Sequence, residues 1–446
     1  PDSIVKLIQA HMNESFLVSG QPFTNIQCGL ERERLYKLIR NEGYYQFKSD
    51  NISFSIDTTD KARILEMVQD PAEAGMQYTP PLDKDAVAIN LMVGKSRDSA
   101  YAQVFHIGTV QVRLNPPVTD RQYDTAWHQS TLEDIHFFYH QLPLNRKVIA
   151  RNIFIHPGDR FNTTEYDNTI NRLNQLGLFQ VVNIQYEKDS VRPGLLNCYI
   201  TLNSSPKMDL VYLTEISTSD DDYLLGTGAG ITFRDKNLAH GANLLSLRLS
   251  YSTEFRHDAF LTGTRTFYQS GNNLNLNTSL IFPKFIIPIS QDLFNKKNMP
   301  YTMLGANYSF IRRINNYTLI NVSGNYGYTW QETKKKNWKL NPIFLTVTDV
   351  PDKFLSEAFR EKRQTNSYLK HTFSNTIVEG ENVLFDYRSK SALTQADLTT
   401  CRIGLEEAGT LLKGVNLAYT HFTKDSIRDI AQYIKADIDY RKYLNR

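Results

Sequence analysis

Residues Phe161 to Tyr186, FNTTEYDNTINRLNQLGLFQVVNIQY, constrain the fold more than any other stretch of this chain. The spacing predicts a short amphipathic helix that stops at Gly177 and turns directly into a strand. Asn162, Thr163 and Thr164 offer side-chain oxygens to the first free N–H groups of the helix. Ile170, Leu173 and Leu176 recur as one buried helical face requires. Gly177 stands where the chain leaves the helix, and a left-handed residue there is cheapest as glycine. Val181, Asn183 and Gln185 then alternate with Val182, Ile184 and Tyr186 at the strand period.

One helix–Gly–strand unit fits many α+β domains, but this one occurs twice. Gly29 to Asp57 reads GLERERLYKLIRNEGYYQFKSDNISFSID. Leu30, Arg34, Leu35, Leu38 and Ile39 form a helical face, Gly43 follows, and Ile52, Phe54 and Ile56 alternate. Gly43, Tyr44 and Tyr45 thus occupy the place of Gly177, Leu178 and Phe179 in the later copy, where Leu176 precedes the glycine. Two copies point to tandem domains, because a solenoid needs many more repeats.

At 446 residues the chain has room for roughly two to three domains. A net charge of +3 gives no electrostatic case for nucleic acid. The 25 Tyr and 24 Phe against three Trp favour β structure over a helical bundle. Cys28, Cys198 and Cys401 are too few and too widely spaced for a disulfide framework or a zinc site. The chain opens at Pro1 with no signal-peptide pattern, so it reads as a mature or truncated piece. No apolar run is long enough for a transmembrane helix, which leaves transmembrane strands open.

Beyond Met208 the pattern changes. Leu245, Leu247, Leu249 and Tyr251 alternate with Ser246, Arg248, Ser250 and Ser252. Similar runs follow at Asn273–Leu280, Ile320–Trp330 and Ile434–Arg441. They exceed an ordinary globular strand and match what a tilted strand needs to cross a bilayer. One face is apolar, with aromatics toward the ends; the other carries Asn, Ser, Arg, Lys and Asp. Periodicity alone does not separate a soluble barrel with its apolar face inside from a membrane barrel with that face toward lipid. Strand length and the polarity of the second face favour the membrane.

The expected organisation is a first α+β domain over residues 1–96 with an insertion at 58–85, and a second over 100–205 with an insertion at 115–150. An antiparallel barrel of about ten strands follows over 208–446. HQSTLEDIHFFYHQL in the second insertion reads as partly helical, which sets His136 and His140 one turn apart. Phe137, Phe138 and Tyr139 lie between those histidines, so aromatic packing explains the segment better than a metal. Gly226, Gly228 and Gly230 lack the spacing and the following helix of a phosphate loop and read as barrel strand. Lys334–Lys336 reads as a turn and Asp352–Lys362 as a short amphipathic helix. No arrangement of nucleophile, base and acid stands out, so neither an enzyme nor a cofactor is expected.

The segments ERERLYKLIRNEGYYQF and PGDRFNTTEYDNTINRLNQLGLFQVVNI resemble POTRA domains of the BamA/TamA superfamily of outer-membrane assembly proteins. YLLGTGAGITFRDKNLAHGANLLSLRLSY is similar to an early barrel hairpin of that superfamily. WQETKKKNWKLNPIFLTV and the ending AQYIKADIDYRKYLNR resemble the TamL-like lipoprotein branch. The order POTRA–POTRA–barrel spans nearly the whole chain, although the family's Arg-Gly-aromatic motif is absent and its barrel has about sixteen strands. The C-terminal barrel strands, the lipid-bearing Cys and any earlier POTRA domain would then lie outside this sequence.

The resemblance implies a bacterial outer-membrane location with the POTRA domains in the periplasm. It implies partners in unfolded outer-membrane proteins, a TamB-like periplasmic protein and the lipid bilayer. Strand addition to POTRA edges and to a lateral barrel seam would receive the client. The seam edge falls on Met208, Leu210, Tyr212, Thr214 and Ile216. BamA proper and a two-partner secretion transporter are the alternatives within this architecture. A soluble all-β binding module is the alternative outside it.

Overall fold

The computed structural model describes residues 2–20, 25–57, 88–93, 99–115, 127–140, 144–219, 225–258, 266–286, 300–389, 398–414 and 430–443. The expected insertion at 58–85 lies outside them. Two compact units emerge. One holds Pro1–Gln141, Asn152–Leu173 and Val181–Asn203; the other holds Leu142–Arg151, Asn174–Gln180 and Ser204–Arg446.

The first helix–Gly–strand copy folds as helices Asp2–Ala10 and Asn25–Asn41 beside an antiparallel pair, β1 (Ile52–Asp57) and β2 (Ala88–Val93). Ile4, Ile8, Leu35, Ile39, Tyr44, Phe47 and Ile52 form its core. Within the Asn25–Asn41 helix Glu31 is only 2% exposed. Its carboxylate accepts from Arg34 Nη2 at 2.6 Å, Arg34 Nε at 2.9 Å and the Phe16 N–H at 3.0 Å. Arg34 Nη1 also donates to the His11 carbonyl. A buried, paired charge therefore fixes the turn at residues 11–17 to the helix. Burial by itself would raise the Glu31 pKa; the donors from Arg34 and Phe16 outweigh it and hold the carboxyl below its ordinary range.

The second copy builds a five-stranded sheet from β3 (His106–Leu114), β4 (His128–Leu132), β5 (Ile135–Tyr139), β6 (Phe179–Lys188) and β7 (Leu195–Ser204), in the order β4-β5-β3-β7-β6. The helix Thr163–Gln175 begins where expected, with Asn162 Oδ1 accepting from the N–H groups of Thr164 at 2.8 Å and Glu165 at 3.2 Å. Leu173 is fully buried, but Thr169 rather than Ile170 completes that face. The Thr169 hydroxyl is satisfied by donating to the Glu165 carbonyl and accepting from the Phe154 N–H.

The partly helical reading of residues 128–142 is corrected. The described part is a β-hairpin, β4–β5, turning through Glu133 and Asp134 at φ 51° and 60°. Paired left-handed residues make the primed turn whose twist suits a hairpin. Ile135 and Phe137 are buried on alternate positions of β5, so the controlling period is two. The one-turn relation of His136 and His140 therefore does not exist. His136 lies on β5 within 3.1 Å of the Thr131 hydroxyl, and His140 packs on Trp127 with ring centroids 4.1 Å apart.

Among the described residues, the chain from Met208 onward forms a ten-stranded antiparallel meander. Its strands are β8 (Met208–Ser217), β9 (Leu225–Leu238), β10 (Asn243–Asp258), β11 (Thr266–Phe282), β12 (Tyr301–Arg313), β13 (Tyr317–Thr333), β14 (Lys336–Asp349), β15 (Thr376–Arg388), β16 (Leu398–Ala408) and β17 (Tyr433–Tyr443). Among the described residues the sheet is open, and its edges are β8 and β17. Lys334 and Lys335 make the tight β13–β14 turn, as expected. The amphipathic segment after β14 is a single turn, Asp352–Phe354, followed by the helix Glu357–Thr365, capped by Ser356.

Register converts the alternation into two continuous faces. Tyr212, Ile231, Leu249, Leu276, Tyr308 and Val322 line up across six strands. One step along each strand, Leu213, Gly230, Ser250, Asn275, Ser309 and Asn321 line up on the opposite face. The polar face carries the Glu254–Arg313 ion pair, closed at 2.6 Å. The apolar face is uncovered: Leu249, Leu276, Leu304, Val322, Ile343 and Leu405 are between 40% and 56% exposed. Toward the β13–β14 turn it ends in an aromatic row, with Trp330 stacked on Trp338 at 6.1 Å and Trp338 against Phe385 at 4.6 Å. The Trp338 indole N–H donates to Glu332 at 2.8 Å. Rings with an apolar body and one polar tip suit a membrane–water boundary. No described helix is long and apolar enough to cross a membrane.

Candidate functional site

The seam-edge residues all lie on β8, which pairs with β9 from Met208↔Asp235 to Ser217↔Gly226. Met208, Leu210, Tyr212, Thr214 and Ile216 share the apolar face, and all are exposed. Tyr212 and Ile216 reach 72% and 78%, more than any large apolar residue described in β9 to β16. The other face of β8 also departs from the sheet's pattern, because Val211 and Leu213 occupy positions that are polar in β10 to β13. A strand with unpaired backbone groups and apolar side chains on both faces can extend its sheet by one more strand.

Side chains of β9 meet that edge along its length. Near Met208, Asp209 accepts from Arg234 Nε at 2.7 Å and meets Lys236 Nζ at 3.3 Å. Lys207 pairs with Asp235 at 3.5 Å, and the Lys236 N–H donates to the Lys207 carbonyl at 2.9 Å. Leu210 and Tyr212 stand opposite Phe233 and Ile231. Further along, Thr214, Glu215 and Ile216 stand opposite Ala229, Gly228 and Thr227.

The residues of the repeated signature do separate work. Tyr44 points into the first module's core, while Tyr45 turns the other way. Tyr45 packs edge-on against Phe161 at 5.0 Å and against Phe105 and Tyr186 at 5.9 Å. Gly43 has φ +95°, and its carbonyl accepts from the Phe105 N–H at 2.9 Å. Arg40 lies over the rings of Phe161, Tyr36 and Tyr45 at 4.9, 5.4 and 5.5 Å and donates to the Thr163 hydroxyl. Asn41 closes the joint, donating to the Thr164 hydroxyl at 2.9 Å and accepting the Thr164 N–H at 3.0 Å.

Tyr36, Arg40, Tyr45, Phe161, Thr163 and Tyr186 help frame an open cavity of about 540 Å³. Burial lifts the Tyr186 hydroxyl far above the ordinary tyrosine range and pushes the Cys198 thiol up to about 12. Both groups are therefore neutral at physiological pH, and Cys198 is no nucleophile.

In the second signature Leu176, Leu178 and Phe179 are buried, and Gly177 takes φ +65°. Ser205 donates its N–H to the Leu178 carbonyl at 2.8 Å and its hydroxyl to the Gly177 carbonyl at 3.2 Å. The sequence pattern singled out Tyr45 but not Arg40, Phe161 or Tyr186. An unusual run of rings around one arginine was the available signal, but their meeting depends on residues more than a hundred positions apart.

No protein-family model matches the sequence, and no curated protein matches it. Among solved structures it is similar to BamA from Haemophilus ducreyi lacking POTRA domains 1–3, at 13% identity and a TM-score of 0.40, over 91% of this chain and 62% of that one. It is similar to CdiB from Acinetobacter baumannii at 12% identity and a TM-score of 0.27, over 79% and 76% of the two chains. POTRA1–3 of the periplasmic domain of Omp85 from Anabaena aligns at 13% identity and a TM-score of 0.20, over 46% of this chain and 59% of that one. The chain thus spans less than two thirds of the length of that BamA.

Proposed function

We propose that this protein is an outer-membrane assembly factor that receives unfolded β-barrel chains by strand addition. Residues 1–96 and 100–205 act as periplasmic POTRA-type modules, and residues from Met208 onward act as the barrel. The observation that carries the reading is the uncovered apolar face of the ten-stranded sheet, ending at an edge strand with apolar side chains on both faces. Water penalises such a face, since an ordinary monomer exposes contiguous apolar patches of only about 300–600 Å². Lipid does not. A client strand at β8 gains backbone hydrogen bonds on one side and places its own apolar face in the same hydrocarbon. Neither step needs a nucleotide or a nucleophile.

Reconstitution tests it. Liposomes carrying the protein should speed protease-resistant folding of a urea-unfolded outer-membrane barrel over empty liposomes; equal rates would refute the assembly role. The TamL-like assignment rests on the resemblance of Trp330–Val347 and of the final strand. It implies a long TamB-like periplasmic partner that co-purifies after cross-linking in membranes. Recovery of the protein in the soluble fraction without detergent would refute the membrane reading altogether.

A further inference from the structure

We infer that the polar face of the sheet binds a phosphate-monoester dianion between β14 and β17, at the end nearest the β13–β14 turn. The inference goes beyond the proposed function. It needs only the described sheet, and the bilayer bears on the source of the ligand alone.

Two register lines build the site. Arg388, Thr400 and Arg441 line up across β15, β16 and β17. Two residues along each strand, Asn337, Asp386, Arg402 and Asp439 line up from β14 to β17. Side chains alternate along a strand, so both lines share one face. Lys334, in the β13–β14 turn, joins them around a cavity of about 480 Å³, where four cations meet two carboxylates.

Both carboxylates are already engaged. Asp386 accepts from Arg402 Nε at 2.7 Å, and Asp439 accepts from Arg441 Nε at 2.9 Å and Nη2 at 2.7 Å. Among the described residues, the Lys334 ammonium and the Arg388 guanidinium have no carboxylate partner. The Thr400 hydroxyl and the Asn337 amide, which line the same cavity, have no hydrogen-bond partner there either. Like charges gathered on one face of a sheet are destabilising, and an anion among them removes that repulsion.

The excess of two positive charges selects a dianion, since a carboxylate would leave one cation uncompensated. Neighbouring strands lie about 4.8 Å apart, so Arg388 and Arg441 stand about 10 Å apart across Thr400. A tetrahedral anion over Thr400 reaches the guanidinium groups on both sides, and two arginine forks with an ammonium suit phosphate oxygens. The next register line toward mid-strand, on the opposite face, is Trp338, Phe385, Ile403 and Ile438. Trp at such a position marks the headgroup level of a bilayer, which is the depth of lipid phosphates. A phosphate-bearing lipid and a soluble phosphate ester therefore share the chemistry this site recognises.

Calorimetric titration of inorganic phosphate into the full chain in detergent, at a pH where phosphate is a dianion, should give saturable binding. Lys334→Gln with Arg388→Gln should weaken it by about tenfold or more. Lys335→Gln with Lys442→Gln removes the same charge outside the cavity lining and should change it by less than about twofold. If the first pair does not fold, phenylglyoxal modification of the unchanged chain replaces it: phosphate should protect Arg388 and leave Arg312 reactive. Phosphatidic acid added in the same detergent separates the sources. Displacement of bound phosphate assigns a lipid headgroup, and no displacement assigns a soluble phosphate.

No saturable phosphate binding, equal weakening by the two glutamine pairs, or equal protection of Arg388 and Arg312 would overturn the inference. Failure in the liposome folding assay with phosphate binding intact would remove the proposed function and leave this site. Normal liposome folding without phosphate binding would do the reverse.

Discussion

Replacing Gly43 with alanine should unfold the first module far more readily than replacing Gly177, although the two glycines hold equivalent places in the repeat. Both have positive φ, at +95° and +65°, so each alanine bears a left-handed penalty of about 1–2 kcal/mol. Their surroundings differ. A Cβ on Gly177 meets nothing within 4 Å, whereas one on Gly43 lands 2.7 Å from Val104 Cγ1 and 3.3 Å from the Phe105 carbonyl. Overpacking of that kind adds about 1–3 kcal/mol, and it strains the Gly43–Phe105 backbone hydrogen bond as well. Gly43→Ala should therefore cost about 2–5 kcal/mol against about 1–2 kcal/mol for Gly177→Ala.

Pulse proteolysis in urea on the full chain in detergent, followed through cleavage within the Asn25–Asn41 helix, measures the effect of Gly43→Ala. With an m-value of about 2 kcal/mol/M, a loss of about 3 kcal/mol lowers the midpoint by about 1.5 M. The same assay read in the Thr163–Gln175 helix gives the smaller Gly177→Ala shift. Val104→Ala isolates the steric part: in a double-mutant cycle it should cancel much of the Gly43→Ala cost, because the two changes share one contact. Equal shifts for the two glycines, or strict additivity with Val104→Ala, would refute the reasoning.

Three further outcomes are expected. The Glu31 pKa is depressed in the folded state, so its contribution is complete above the ordinary carboxylate range and is lost as pH falls through the lowered folded value. Acid titration of exchange protection in the Asn25–Asn41 helix should show that loss, and Glu31→Gln, which removes the charge but keeps a polar side chain, should abolish this part of the pH dependence. Val322→Arg on the apolar face should cost about 2–4 kcal/mol of folding free energy in lipid, while Ser323→Arg on the polar face should cost little; equal effects in a urea-dependent membrane-folding assay would contradict the assigned orientation. Tyr45→Ala removes the ring shared by Phe105, Phe161 and Tyr186, and each aromatic pair contributes about 0.5–1.5 kcal/mol. Spin labels on the Asn25–Asn41 helix and on β7 should then show a broadened distance distribution, and an unchanged one would show that Arg40 and Asn41 hold the joint by themselves.

Local rules were sufficient for much of this fold. Gly43 and Gly177 mark helix ends because only a residue without Cβ enters the left-handed region cheaply, and both do so here. The alternation after Met208 indicates long strands because side chains on a strand point to opposite faces, and ten such strands follow among the described residues. Residues 128–142 misled because His136 and His140 match a helical interval by accident. The buried pair Ile135 and Phe137 and the left-handed Glu133–Asp134 turn outweighed it.

What the sequence determined by itself was therefore periodic and local: helix–Gly–strand units in tandem, then amphipathic strands with one apolar and one polar face. Tertiary structure decided which side of those strands stays uncovered, since burial depends on neighbours that periodicity does not name. It also decided that Arg40, Tyr45, Phe161 and Tyr186 meet at one joint. At β8, only register could show that Asp209 faces Arg234 while Glu215 faces Gly228. The pairing of that edge is a property of both strands, and neither strand carries it alone.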